Sequence, residues 1–143
     1  DTTGTGDVTK TALVWSYPLE KHVMATPAVW RGLVFLADCG RKIHCVDATT
    51  GKPLWTHDAA AETWASALVA DGKAYFATRR GEVFVFAANK EKRLLSQTNL
   101  GDPISGTPIA ANGVLYFATM KNLFAIEEGP GLPKAQAAEL ESP

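Results

Sequence analysis

Cysteine and histidine are scarce in this sequence, two and three residues among 143, and that scarcity limits the chemistry it can carry. His22, His44 and His57 share no metal-ligand spacing and have no carboxylate or cysteine beside them in a recognisable pattern. No Ser-His-Asp or Cys-His arrangement has a sequence context, although a triad is defined by geometry and not by order. Long apolar runs are also missing: they end after about five residues, far short of a membrane span. A formal net charge of −1 gives no general attraction to nucleic acid or anionic lipid. The chain opens on "DTTGTGDVTK", without a basic start and apolar stretch, so no secretory leader is expected in it. What is plentiful is hydrophobic residues, 46% of the chain, enough for an ordinary core.

Those hydrophobic residues recur. The stretch "RGLVFLADCGRKIHCVDATTGKPLW" (Arg31 to Trp55) lies over "DGKAYFATRRGEVFVFAANKEKRLL" (Asp71 to Leu95) at a constant offset of 40. A third copy, "NGVLYFATMKNLFAI" (Asn112 to Ile126), follows the second at an offset of 41 through Thr119 and of 40 afterwards. Trp15 and Asp7 each lie 40 before Trp55 and Asp47, as the remnant of a preceding copy. Repeats of about 40 residues indicate solenoids, propellers or arrays, whose units must stack to bury their faces.

Each copy opens with a short strand and a two-residue turn, Arg31-Gly32, Asp71-Gly72 or Asn112-Gly113. Such pairs suit a type I′ hairpin turn, where both central residues take positive φ. A second strand follows (Leu33 to Ala37, Lys73 to Ala77, Val114 to Ala118), then a turn rich in Arg, Lys and Gly. A third strand (Ile43 to Val46, Val83 to Ala87, Leu123 to Ile126) and a fourth near Trp55 complete the unit. The middle strands "LVFLA", "AYFA" and "VLYFA" are apolar at successive positions, so both faces must be covered. The expected fold is therefore all-β, a propeller of four-stranded antiparallel blades with about three blades in this chain. The first strands, "ATPAV", "ASALV" and "GTPIA", contain Pro27 and Pro108 and suit the innermost position, where one edge is free.

The motif "VDATTGKPLW" resembles the tryptophan-docking motif of PQQ-type β-propeller repeats, the family of quinoprotein alcohol dehydrogenases and of the outer-membrane assembly propeller. The resemblance implies that Cys45, Asp47, Thr50, Gly51, Lys52 and Trp55 form a girdle whose indole stacks on a Gly-Lys peptide of an adjacent blade, with Trp15 as a partial copy. Cys45 stands where alanine is usual; copy two has Leu95 in place of the tryptophan, and copy three ends in "IEEGPG". Members that bind the quinone are expected to carry a calcium site and a vicinal disulfide. This chain has no adjacent cysteines and no recurring carboxylate cluster, so no cofactor and no metal are expected. The family's periplasmic or extracellular location carries over as an expectation.

Cys39 and Cys45 invite a disulfide in an oxidising compartment. With Gly40-Arg41 as the turn, Cys45 faces Leu36 and Cys39 faces Lys42, so the sulfurs lie on opposite faces about 10 Å apart along the strand. A bridge needs Cα atoms within about 7 Å, so two free thiols are expected, Cys45 buried. Basic residues gather in the second-to-third-strand turns, Arg41, Lys42, Arg79, Arg80 and Lys121, beside loop residues Lys21, His22 and Trp64. That face could receive an acidic peptide, a protein or an anionic glycan, although Glu20, Glu62 and Glu82 dilute it.

Residues 1–10 are read as a flexible lead with the remnant motif, 11–128 as the blades (outer strand 12–17, blades 25–57, 65–97 and 106–126), and 129–143 as a mobile tail rich in proline and glycine. A non-enzymatic binding or scaffolding module fits best, with a piece of a quinoprotein dehydrogenase or a sensor domain of a signalling protein as alternatives. Copy three stops after its third strand, while Ala12 to Tyr17 aligns with an outer strand that has no blade. Three blades are too few to close a ring, since known rings have about four to eight. Exchange of this strand between two chains would complete six blades, so a homodimer is expected unless the chain belongs to a longer propeller.

Overall fold

A computed structural model describes residues 4–127, so the segment 129–143 lies outside the described residues. It contains eleven strands and no helix among them, and hence no helix long and apolar enough to cross a membrane. The first blade holds β1 (Ala28–Trp30), β2 (Leu33–Ala37), β3 (Lys42–Asp47) and β4 (Pro53–Asp58), hydrogen-bonded in that order. The second repeats the pattern with β5 (Leu68–Ala70), β6 (Lys73–Ala77), β7 (Glu82–Ala87) and β8 (Leu94–Asn99). The third has β9 (Ile109–Ala111), β10 (Val114–Ala118) and β11 (Leu123–Glu127), and no fourth strand among the described residues.

The turns follow from local chemistry. Arg31, Asp71 and Asn112 have φ of 46°, 49° and 52°, and the glycine after each is also positive, as a type I′ hairpin requires. The β2–β3 turn and its counterparts are each organised by one side-chain oxygen. Asp38 Oδ1 accepts the N–H groups of Gly40 (2.8 Å) and Lys42 (3.0 Å); Thr78 Oγ1 accepts those of Arg80 and Glu82; Thr119 Oγ1 accepts those of Lys121 and Asn122. Aspartate and threonine recur at this position because either can bond its own backbone two to four residues on.

That turn corrects the expected register. The loop spans Asp38 to Arg41, with Asp38 N–H bonded to the Lys42 carbonyl, so Phe35 and not Leu36 faces Cys45. Cys39 lies in the turn, its N–H bonded to the His22 carbonyl, and both thiols are free with Cys45 buried. The inner strands also begin three residues later than expected, just past Pro27 and Pro108. Before that point Thr26 N–H donates to Ser66 Oγ of the next blade and not to β2.

Inter-blade packing is aromatic between the first two blades. Trp55 lies 6.0 Å from the Phe35 ring and 5.0 Å from the Phe86 ring, and Phe76 joins the same cluster. The second interface is built from Tyr75, Val83, Ile104 and Phe117. All of β2 except Val34 is buried, as strands covered on both faces must be, whereas β8 and β9 are exposed throughout.

Pairing also corrects the outer strand of copy two. Cys45 faces Trp55 and Val46 faces Pro53, so Leu54 is bulged out; in the second blade Val85 faces Ser96 and Phe86 faces Leu94, so Leu95 is the bulged residue. Ser96, not Leu95, therefore occupies the tryptophan's position, because the β7–β8 turn is one residue longer. Ala12 to Tyr17, expected as an outer strand, forms no ladder within the described residues.

Trp55 is 8% exposed between two blades. Replacing it by alanine is expected to remove about 3 to 5 kcal/mol of stability in denaturant titration. A loss under about 1 kcal/mol would place the indole outside the core.

Candidate functional site

Two regions gather the residues singled out in the sequence: the docking girdle and the loop face. In the girdle, Asp47 Oδ1 accepts the N–H groups of Thr49 (3.0 Å) and Thr50 (2.9 Å) and the Thr50 hydroxyl (3.0 Å). Gly51 N–H closes the turn on the Asp47 carbonyl at 2.9 Å. Gly51 has φ +69°, and a Cβ there would lie 2.7 Å from the Trp15 ring, so both backbone and space demand glycine. Trp15 stacks on this peptide, and its Nε1–H donates to the Ala48 carbonyl at 2.9 Å. Lys52 is exposed at the rim.

Trp55 makes the equivalent contact one blade further on, its Nε1–H donating to the Asn89 carbonyl at 3.2 Å. The second copy lacks the aspartate, and Asn89 Oδ1 instead accepts the Glu91 N–H. Asp7 begins a further version of the turn by accepting the Thr9 N–H at 3.0 Å. Burial pushes the Cys45 thiol up to about 12, so it packs as a small apolar residue and is no nucleophile.

The loop face is assembled by backbone bonds from each hairpin turn to the loop before it: Cys39 N–H to His22, Arg79 N–H to Glu62 and Met120 N–H to Pro103. These bonds set Arg41, Lys42, Arg79, Arg80 and Lys121 beside Lys21, His22 and Trp64. Most of the charge is already engaged. Arg41 pairs with Asp58 at 3.1 Å, Lys42 with Glu20 at 2.6 Å and Lys121 with Asp102 at 3.2 Å. Arg79 lies 4.4 Å over the Trp64 ring and donates to Ser105, while Trp64 Nε1–H donates to Glu62. Lys21 lays its aliphatic stem over Gly40, and the His22 and Arg80 side chains are exposed.

Two features were missed from sequence. Met24 (58% exposed), in the loop before the first blade, and Met120 (66%), in the β10–β11 turn with its N–H on the Pro103 carbonyl, are exposed in the same set of loops and turns as Trp64. Against β3 of the first blade the Tyr17 hydroxyl lies 3.0 Å from His44 Nδ1, and His44 Nε2 lies 3.2 Å from Asp38 Oδ2. Burial, and then the Asp38 charge, raise the tyrosine above its ordinary value. The counterparts of Asp38 and His44 in the second blade, which face one another's strands in the same register, are Thr78 and Phe84, so the blade does not need this network. It ties the 12–17 segment to β3. Nothing in the residue order signalled it, because the three groups come from a loop, a turn and a strand.

Among the described residues no three His, Cys, Asp or Glu side chains gather as a metal site. Cys39 and Cys45 are separated by a turn and a strand, and Cys45 faces the inter-blade core.

Asp47 and Asp58 are both held below the ordinary carboxylate value of 3.8, Asp47 chiefly by the Thr50 N–H and hydroxyl, Asp58 chiefly by the Ala60 N–H and then Arg41. With folded values depressed, their contribution is present above pH 3.8 and is lost as pH falls through the folded values. Acid titration followed by tryptophan fluorescence should show the Trp15 environment loosening below that value, and Asp47→Asn should remove part of the transition. An unchanged acid limb in Asp47→Asn would mean the carboxylate does not hold the Gly51 turn.

Comparison with known proteins agrees with this geometry. Over 48 residues, 32% of this chain and 7% of the relative, the sequence is 44% identical to the 1-butanol dehydrogenase (cytochrome c) of Thauera butanivorans. Over 60 residues, 41% of the chain and 8% of the relative, it is 35% identical to the quinohemoprotein alcohol dehydrogenase of Comamonas testosteroni. The crystal structure of BamB from Moraxella catarrhalis superposes with a TM-score of 0.63 at 21% identity, covering 80% of this chain and 35% of that one, which is a likeness of fold. The chain thus spans a small part of each protein it resembles. A family model described as outer membrane protein assembly factor BamB matches residues 6–127, most of the chain, and the protein belongs to that family of PQQ-type β-propeller repeats.

Proposed function

We propose that this chain is a non-enzymatic binding and scaffolding propeller module, working outside the cytoplasm, whose loop face docks a protein partner. The observation that carries the reading is the composition of that face. Half of its lysines and arginines, Arg41, Lys42 and Lys121, are paired with acids and Arg79 is stacked on Trp64, while Trp64, Met24 and Met120 remain exposed on the same face. Trp with a stacked Arg is a typical anchor of protein interfaces and Met adapts to varied surfaces, which favours a protein over an anionic glycan. The family's description as an outer-membrane assembly factor supports both the protein partner and the extracytoplasmic setting. Capture from an extract of the source organism should retain a stoichiometric partner on the wild-type chain. Trp64→Ala should weaken that partner about tenfold without lowering thermal stability. Undiminished capture by the variant would overturn the loop face as the docking surface.

A second reading, part of a quinoprotein dehydrogenase, is favoured by the sequence identity to the two alcohol dehydrogenases. Calcium-dependent titration with the quinone separates the readings: the scaffold predicts no saturable uptake, and saturable uptake would sink it.

The same module closes by association. β11 has no partner on its outer side among the described residues, and Ala12 to Tyr17 lies docked on the first blade through Trp15 and Tyr17. Leu13 and Val14 of that segment are 65% and 75% exposed. A segment held in place with its edge unpaired is suited to complete the third blade of a second copy. Light scattering at micromolar concentration should give twice the 15.3 kDa chain mass; a stable monomer would rule out the exchange and favour a longer propeller.

A further inference from the structure

The two blade interfaces of this chain share a design but are filled differently. Between the first and second blades the indole of Trp55 lies between the rings of Phe35 and Phe86, with Cys45 facing it across the strand and Trp30 in the same cluster. The hydrogen-bond registers give each of these residues a counterpart one blade on. Phe35 becomes Tyr75, Cys45 becomes Val85, Trp30 becomes Ala70, and Phe86, which faces Ala74, becomes Ile126, which faces Leu115. The indole itself becomes Ser96, an exposed side chain. A groove of about 510 Å³, open to solvent along the exposed β9–β10 hairpin, lies at this place, with Ala70, Tyr75, Val85, Leu115 and Ile126 in its lining. It is the slot of Trp55 without its indole.

The slot does not close by collapse, because the rest of the interface holds the blades apart. Val83, Ala77, Ile104 and Phe117 fill the neighbouring rows completely, and packed sheets stay about 10 Å apart. The volume falls within the usual range for small-ligand sites, about 300–1,000 Å³. Clefts lined by apolar and aromatic side chains with a few polar groups at the rim are the usual form of such sites. At the rim, Asp71, Asn112 and Glu127 supply acceptor oxygens, with Lys73 paired to Asp71 at 3.2 Å. Acceptors at the mouth suit a ring that carries an N–H, as Trp55 carries one to the Asn89 carbonyl, and disfavour an anionic substituent.

We propose that the slot between the second and third blades binds a small planar aromatic molecule of the indole class. This site is separate from the loop face and stands or falls independently of the partner proposed for it.

The full chain should be titrated with 5-fluoroindole and followed by fluorine NMR. The expected result is a saturable response, competed by unlabelled indole and at least about tenfold weaker for indole-3-acetate, a difference of about 1.4 kcal/mol. Ser96→Trp restores the repeat's own indole and should abolish the uptake while raising the melting temperature. Should that variant fail to fold, Ala70→Trp, which places the counterpart of Trp30 in the same slot, is expected to block binding equally. A non-saturating response from the wild-type chain, or unchanged uptake by a folded variant of either kind, would overturn the proposal. Equal binding of indole-3-acetate would overturn the role given to the acidic rim.

Discussion

A propeller blade is apolar on both faces, and everything else in this chain depends on how those faces are covered. The contact that does so best is the indole of Trp55, held between Phe35 of its own blade and Phe86 of the next. It combines burial of a large ring with a hydrogen bond to the Asn89 carbonyl, so apolar surface and a polar handle are satisfied together. Trp15 repeats the arrangement on the first blade, where Gly51 permits the ring to approach the backbone. The girdle is thus a chain of indoles, each belonging to one unit and seated on its neighbour.

Where that contact is lost, the structure changes character. The second interface has Ser96 at the indole position, and a groove replaces the stack. The third blade has no fourth strand among the described residues, and its residues are largely exposed, with Phe117 the buried one in β10. Stability in repeat proteins is carried by nearest-neighbour interfaces, so the chain grades from a well-packed first interface to an open end. Both the association proposed for the chain and the ligand slot arise from this gradient, since uncovered surface is where binding has something to gain.

Charge on the loop face obeys a different logic. Hairpin tips and inter-blade loops are wet, and the cations placed there by the repeat meet acids from the loops, Glu20 and Asp102, and from the end of β4, Asp58. Exposed ion pairs of this sort contribute little to stability, but they cancel part of the field that the sequence alone suggests. Beside the remaining cations the face presents exposed apolar side chains, Trp64 and the two methionines, and this is why it reads as a surface for a protein.

The repeat period, the I′ turns, the doubly buried middle strands and the docking motif were all legible in the residues, because each rests on local rules: glycine and asparagine at positive φ, period-free apolar strands, an aspartate bonding its own turn. Two free thiols followed as well, though for a reason the register then corrected, since Cys39 lies in the turn and Phe35 faces Cys45. Pairing between strands was not legible to one residue. A single extra residue in the β7–β8 turn moved the tryptophan position from Leu95 to Ser96, and no local signal distinguishes the bulged residue from its neighbour. The Tyr17–His44–Asp38 network and the pairing of the loop-face charges were likewise decided only in three dimensions. Their members are distant in sequence, and it is the stacking of blades and the crossing of the 12–17 segment that bring them within hydrogen-bonding reach.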